Sequence, residues 1–412
     1  MSVWLAEAEG DAALRAAGIE RVWTEGGCVA LAGPGERQRL ADELAAAAGS
    51  FDPGPAVLLG SGGSSGARRW CLQPLAHLDA AARATGAWLE GLGLDPASCL
   101  HLNPLPLHHV SGLLPLVRCR LWGSELRWLA PETLRDPRRL AARCPLPSDR
   151  PVLLSLVPTQ LQRLLVDPAG VDWLAGCRLI WVGGAALPAD LAARARAARL
   201  PLAPCYGATE TAAMVCVQTP ERFLAGEPGC GKPLADVQLR LDPGSGAVEV
   251  VTPRLSPGFL HHGRLEPLPL TGDGWWRSGD AGVLEDAGLR IRGRLDGAIL
   301  SGGETVFPEQ LEARLLAQAG DAGLPLEAVL LLADADPEWG QRLVALVRPR
   351  PGGDADGLIA ALRRQVGRWP PAERPRRWRI CPPLAPTAAG KWRRGHWQEW
   401  LKAQEAVSRQ GG

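Results

Sequence analysis

The feature that most constrains this chain is an alternation. Short apolar runs closed by glycine, proline or a polar turn recur along it: "AVLLG" (56–60), "VLLSLVP" (152–158), "RLIWVGG" (178–184) and "AVEVVTP" (247–253). Between them lie stretches rich in alanine, leucine and arginine with helical spacing. In "LAHLDAAARATGAWLEGL" (75–92), for example, Leu75, Leu78, Ala82, Leu89 and Leu92 share one face. Strands alternating with helices predict an α/β fold with a largely parallel sheet, whose ligands sit at the carboxyl ends of the strands. From about residue 226 the pattern turns to glycine-punctuated short strands, with "DAG" (286–288) as a turn, and predicts a small β-rich region. From 298 to about 381 strand and helix mix as in a small α+β domain.

Composition narrows the function classes. With 412 residues, the chain has room for a large core and more than one domain. Lys plus Arg is 45 against Asp plus Glu 44, so the overall charge recruits neither nucleic acid nor an anionic membrane, and small-molecule partners are expected. No apolar run is long enough for a membrane span. The ten cysteines form no C-x-x-C pair and "MSVWLAEAEGDAAL" is no secretory leader, so a reducing, cytoplasmic setting and buried structural thiols are expected. Whether the chain forms a homo-oligomer is left open.

Five polar segments carry the chemistry. "GSGGSSGARR" (60–69) follows a strand and is read as preceding a helix. Its exposed N–H groups, hydroxyls and cations suit an anion, but Gly62 to Gly66 also satisfies G-x-S-x-G, which would make Ser64 a hydrolase nucleophile. "NPLPLHHVSGL" (103–113) offers a histidine either to acid-base chemistry or to a pocket wall. In "CYGATETAAMV" (205–215), Thr209 and Glu210 could meet a phosphate and its magnesium ion, or cap a helix. Asp280 in "RSGDAGVL" could accept both hydroxyls of a ribose. Lys391 in "PTAAGKWRR" (386–394) stands on a glycine turn, placed to reach an anionic centre.

Taken in order, these segments resemble the adenylate-forming superfamily of acyl-CoA synthetases, luciferases and peptide-synthetase adenylation domains. "SGGSSGARR" resembles its Ser/Thr/Gly-rich loop, "PLHHVSG" its P-L-F-H-x-x-G motif, "GGAALP" (183–188) its adenine-side turn, and "YGATE" its Y-G-x-T-E motif. "SGD" resembles T-G-D, "GRLDGAILSGGETVFPEQLE" (293–312) the hinge segment, and "TAAGKWRR" the terminal T-x-x-G-K-x-x-R. The likeness runs from about 57 to 394. It implies an N-terminal ATP- and acyl-binding domain over 1–295 and a mobile C-terminal domain over 296–412, hinged near Asp296.

The resemblance also implies roles. Ser61, Gly63, Ser64, Ser65 and Gly66 would hold phosphates, with Arg69 at the family's lysine position. Gly183, Gly184, Ala185, Tyr206 and Gly207 would border the nucleotide, and Asp280 and Arg294 would bind its ribose. Thr209 would touch the α-phosphate and Glu210 would hold magnesium. His109, bordering the acyl group, and Arg69 would serve catalysis together with Lys391, the lysine of adenylation, and Gly302 and Gly303 would flank the pantetheine of CoA. The implied reaction uses ATP, Mg2+ and CoA. "LLSLVPTQLQRLL" (153–165), "GGAALP", "GRLD" and "SGGE" resemble the branch that ligates CoA to 2-succinylbenzoate in menaquinone and phylloquinone synthesis. That acid is an aromatic dicarboxylate, and Thr159, Gln160 and Arg163 are the candidates for its second carboxylate. Arg68 and Arg69 depart from the family's Pro-Lys, and Gly297 from its second Asp after the hinge.

Overall fold

The computed structural model describes residues 3–6, 10–47, 51–61, 69–385 and 392–410, with side chains as far as 404. The chain divides into two compact units, Met1–Ile291 and Arg292–Gly412. The division falls inside the strand Gly288–Arg294, ahead of the Asp296 hinge expected from sequence.

The larger unit carries three sheets. The first has six strands in the order Val3–Ala6, Cys28–Leu31, Ala56–Ser61, Arg69–Pro74, Gly258–His261, Arg264–Pro267. Its first three strands are parallel, while Arg69–Pro74 runs antiparallel to Ala56–Ser61. The second has seven, in the order Lys232–Pro233, Ala213–Val217, Leu202–Ala208, Leu179–Val182, Val152–Leu156, Leu100–Asn103, Glu125–Trp128. From Leu202–Ala208 onward its pairings are parallel. The third, of four strands from Gln238 to Arg294, supplies the glycine-punctuated region. The expectation of a largely parallel sheet therefore describes the second sheet, whereas hairpin connections make the first one mixed.

Helices Leu75–Gly91 and Val110–Trp122 pack together on the first sheet, where Leu78, Ala82, Leu113 and Val117 meet Val57 and Leu59. Such packing needs one apolar face per helix, which the spacing of 75–92 supplies. On the second sheet, Leu154, Leu156, Ile180 and Val182 form a core with Leu161, Leu164 and Leu174 of the helices after Leu156. The carboxyl ends of strands Val152–Leu156, Leu179–Val182 and Leu202–Ala208 lead into the turns at Val157, Gly183 and Thr209.

The smaller unit is α+β. Its long hairpin Leu326–Asp336 and Gly340–Pro349 is flanked by Arg377–Ile380 and by the short hairpin Ile299–Ser301 and Glu304–Val306. Helix Pro308–Asp321 packs on it through Leu311 and Leu315. Glu312 is buried there, its carboxylate held by Arg394 at 2.8 and 2.9 Å and by the Leu331 N–H at 2.7 Å.

Candidate active site

Ser61 and Arg69 are directly opposed across the first hairpin, so both side chains leave the same face of the sheet. A nucleophile elbow needs a helix directly after its turn. Here the segment after the Ser/Gly loop is the antiparallel strand Arg69–Pro74, and the helix begins only at Leu75. This corrects the expectation of a helix after the loop and removes the strand-to-helix context of the hydrolase reading. Gly63, Ser64, Ser65 and Gly66 lie outside the described residues, as does Lys391.

On that face the hairpin meets the turn Thr209–Thr211. The Ser61 hydroxyl donates to the Glu210 carboxylate at 2.5 Å, and the buried Gln73 amide donates to the Thr209 carbonyl at 2.6 Å. The Ser256 N–H donates to the Glu210 carbonyl at 2.7 Å, while the Ser256 hydroxyl donates to Leu72 O at 2.8 Å. Two segments separated by almost 150 positions thus close on one carboxylate. Arg69 lays its guanidinium over the Phe259 ring, 4.1 Å from the centroid. Such stacking leaves the planar cation a defined place beside the hairpin mouth.

The strand Leu202–Ala208 supplies the next wall. A Cβ on Gly207 would stand 2.0 Å from the Ala213 carbonyl oxygen, so the turn into Thr209 closes only around glycine. Tyr206 donates its hydroxyl to Asp280 at 2.8 Å, which joins two residues that the sequence pairs with one nucleotide. Burial and the neighbouring Asp280 carboxylate hold the phenol well above its usual pKa, so it stays a donor. Gly183 and Gly184 follow strand Leu179–Val182. Gly184 has φ +77°, and a Cβ on Gly183 would meet the Cys205 sulfur at 2.7 Å, so this turn lies flat against the Tyr206 strand. Ala185 follows it, exposed.

His109 is the N-cap residue of helix Val110–Trp122, with its ring centroid 4.5 Å from that of His108. Asn103 fixes this turn, donating to Gly112 O at 2.7 Å and accepting from the Leu105 N–H at 3.0 Å. The expected acyl-side trio is dispersed along helix Pro158–Leu164. Gln160 is buried with its side-chain oxygen accepting from the Val157 N–H at 3.1 Å, as a helix cap, while Thr159 and Arg163 are exposed.

Two arginines escape sequence reasoning. Arg118 is buried under Trp181, 4.7 Å from the ring centroid, and among the described residues it forms no ion pair. It donates to the Thr85 hydroxyl at 3.5 Å. Desolvation pulls its pKa down to about 10, while neighbouring Cys205 pulls the other way. Beside it, His101 sits between Trp122 and Trp181, with centroids 5.3 and 5.9 Å away, and burial together with Arg118 lowers its pKa to about 3. A charge amid "LLPLVRC" on an apolar helix face was the available signal for Arg118. Arg254 is fully buried in an irregular stretch and braces the Thr209–Thr211 turn from behind. A lone arginine between prolines has no periodicity to betray it.

In the smaller unit, Gly302 and Gly303 form the two-residue turn of the hairpin at Ile299–Val306, with φ +59° and +85°. A Cβ on Gly302 would meet the Trp339 ring at 2.6 Å. Arg294 donates to Asp296 at 3.0 Å.

Among the described residues no group of three or more His, Cys, Asp or Glu could hold a metal ion. Glu210, the adjacent Thr209 and the bonded Ser61 hydroxyl are hard oxygen donors around one carboxylate. They fit magnesium, which takes one or two carboxylates and completes its shell with substrate phosphate and water.

Residues 54–252 match the model of the AMP-binding enzyme family. The chain is 28% identical over 347 residues to the 2-succinylbenzoate–CoA ligase of Enterococcus faecalis, covering 82% of this chain and 67% of the relative. It is 31% identical over 307 residues to that of Salmonella typhimurium, covering 73% and 60%. The chain thus spans about half to two thirds of the length of the curated relatives it matches. Among solved structures, a variant of E. coli MenE with bound OSB-AMS aligns with TM-score 0.62 and 27% identity over 86% of this chain and 71% of that one. The o-succinylbenzoate CoA synthetase of Bacillus subtilis with OSB-AMP aligns with TM-score 0.77 over 95% and 86%, at 19% identity, a likeness of fold.

Proposed function

We propose that this chain, whose residues 54–252 match the AMP-binding enzyme family, is an ATP-dependent acid–thiol ligase that adenylates 2-succinylbenzoate and passes the acyl group to CoA. The observation that carries this reading is the Ser61–Glu210 hydrogen bond, which ties the strand entering the Ser/Gly loop to the carboxylate of "YGATE".

Carboxylate attack on the α-phosphate brings two anions together and expels pyrophosphate, so the site must offset developing charge. Magnesium held by Glu210 would neutralise part of the triphosphate. Ser61 and the loop that follows it would donate to the β- and γ-phosphates, with Arg69 at their edge and Lys391 at the reacting centre. Asp280, held by Tyr206, would accept from the ribose hydroxyls, and the flat turn at Gly183 would receive the adenine. Attack of the CoA thiol on the acyl-adenylate would then release AMP. The family resemblance assigns the change between steps to rotation about Asp296, which exchanges Lys391 for the Gly302–Gly303 face.

A dicarboxylate needs a cation for the carboxyl group that does not react. Arg118 fits better than the exposed Arg163. Among the described residues it is a buried charge with no carboxylate in an ion pair with it, packed on Trp181 two residues before the Gly183 turn, and such a charge is costly until an anion joins it. The test is to incubate the protein with ATP, magnesium, CoA and 2-succinylbenzoate and to follow product masses. The expected products are the monothioester, AMP and pyrophosphate. ADP in place of AMP, or ATP-independent ester hydrolysis, would refute the reading. A Lys391→Ala variant should lose adenylate formation far more than thioester formation from supplied acyl-adenylate.

A further inference from the structure

Three successive backbone carbonyls in the Thr209–Thr211 turn each have a separate donor from outside the turn. Thr209 O accepts from the Gln73 amide at 2.6 Å, Glu210 O from the Ser256 N–H at 2.7 Å, and Thr211 O from Arg254 Nη1 at 2.9 Å. The next two residues, Ala212 and Ala213, have φ +50° and +77°, a left-handed conformation that side-chain-bearing residues adopt only when the surroundings impose it. Arg254 Nη1 also binds Met214 O at 2.9 Å, so one guanidinium grips the chain on both sides of this strained pair. The rest of its fork is fixed on Asp236, with Nε at 2.7 Å and Nη2 at 3.2 Å from the two carboxylate oxygens.

We propose that Arg254, backed by Asp236, is a positioning residue that sets magnesium–ATP affinity by fixing the turn on which Thr209 and Glu210 are carried. The planar fork matters more than the charge. A lysine ammonium cannot span two carbonyls and a bidentate carboxylate together. Without the grip on Thr211 O and Met214 O, Ala212 and Ala213 relax out of the left-handed region. The turn then rotates, and the Glu210 carboxylate leaves its 2.5 Å contact with Ser61. Arg254 touches neither ligand nor metal in this account and acts only through the turn. The inference rests on the ligase reading for Glu210 as the magnesium carboxylate.

The experiment is calorimetric titration of the full-length protein with ATP plus magnesium, and separately with AMP without metal, for wild type, Arg254→Lys and Asp236→Asn. Melting curves and binding stoichiometry report the folded fraction. Losing one or two buried hydrogen bonds to the turn predicts about tenfold weaker magnesium–ATP binding for Arg254→Lys, with AMP binding changed by less than about threefold. Asp236→Asn keeps the arginine and removes only its counter-charge, so it is the milder arm, with an expected loss of about threefold. A purely structural arginine would lower the melting temperature and the stoichiometry while leaving the magnesium–ATP affinity of the folded fraction at the wild-type value. That result in either folded variant would overturn the proposal. Wild-type protein that binds magnesium–ATP yet turns over no acid would sink the ligase reading while the affinity comparison stands. Wild-type protein that binds no ATP would sink both.

Discussion

At the scale of single residues, Glu210 is where the account is most exposed. Glu210→Gln keeps the shape and the hydrogen bond from Ser61 but removes the charge that would hold magnesium. Adenylation should fall by about 100-fold or more with an unchanged melting temperature, since charged groups at developing anionic centres contribute at this level. Arg118→Met should raise the KM for 2-succinylbenzoate by about 100-fold while a monocarboxylate analogue is affected far less, because a charge-assisted contact is lost only with the diacid. His101 makes a separate prediction about stability. Its folded pKa of about 3 lies below the unfolded value of 6.5, so the unfolded chain binds more protons between these limits and stability falls as pH drops through that window. At pH 5 the penalty is about 2 kcal/mol. Urea midpoints measured from pH 7 to 5 should decline in the wild type and decline less in His101→Phe. The motif residues were legible because their chemistry requires particular residue types in a fixed order. Arg118, His101 and Arg254 were not, because burial is what gives them their roles, and burial of a lone polar residue leaves no periodic trace.

At the scale of elements, the hairpin around the Ser/Gly loop departs from expectation. The sequence reads naturally as strand, loop, helix, and the helix at 75 was found where its apolar spacing puts it. The intervening strand Arg69–Pro74 was hidden because Gln73, a polar residue, is fully buried in it and breaks the pattern of a half-buried strand. Its burial is explained by the bond to Thr209, so the residue that disguised the strand is one that holds the site together. The Y-G-x-T-E turn shows the opposite case, in which local chemistry dictates the element. Gly207→Ala places a methyl 2.0 Å from the Ala213 carbonyl, and thermal unfolding should show a loss of about 1–3 kcal/mol from the forced backbone shift. A melting temperature equal to wild type would mean that the turn is looser than this packing requires.

At the scale of the whole molecule, the alternation of strand and helix predicted the α/β class, and the shift at 298 predicted the α+β unit, because both follow from periodicity summed over many residues. The small unit has its own core, in which Leu311, Leu315, Leu331 and Leu343 are buried, and its own charged brace between Glu312 and Arg394. Among the described residues no helix is long and apolar enough to cross a membrane. A preference for 2-succinylbenzoate was legible only as a resemblance in a few short segments, since the groups proposed to hold the acid, Arg118 and the turn at Gly183, lie on separate elements. The most direct test of the central claim is therefore magnesium-dependent ATP–pyrophosphate exchange across a panel of acids. Exchange should depend on 2-succinylbenzoate and be much weaker with benzoate and other monocarboxylates. Exchange with another acid but none with 2-succinylbenzoate, or no exchange with any acid, would contradict it.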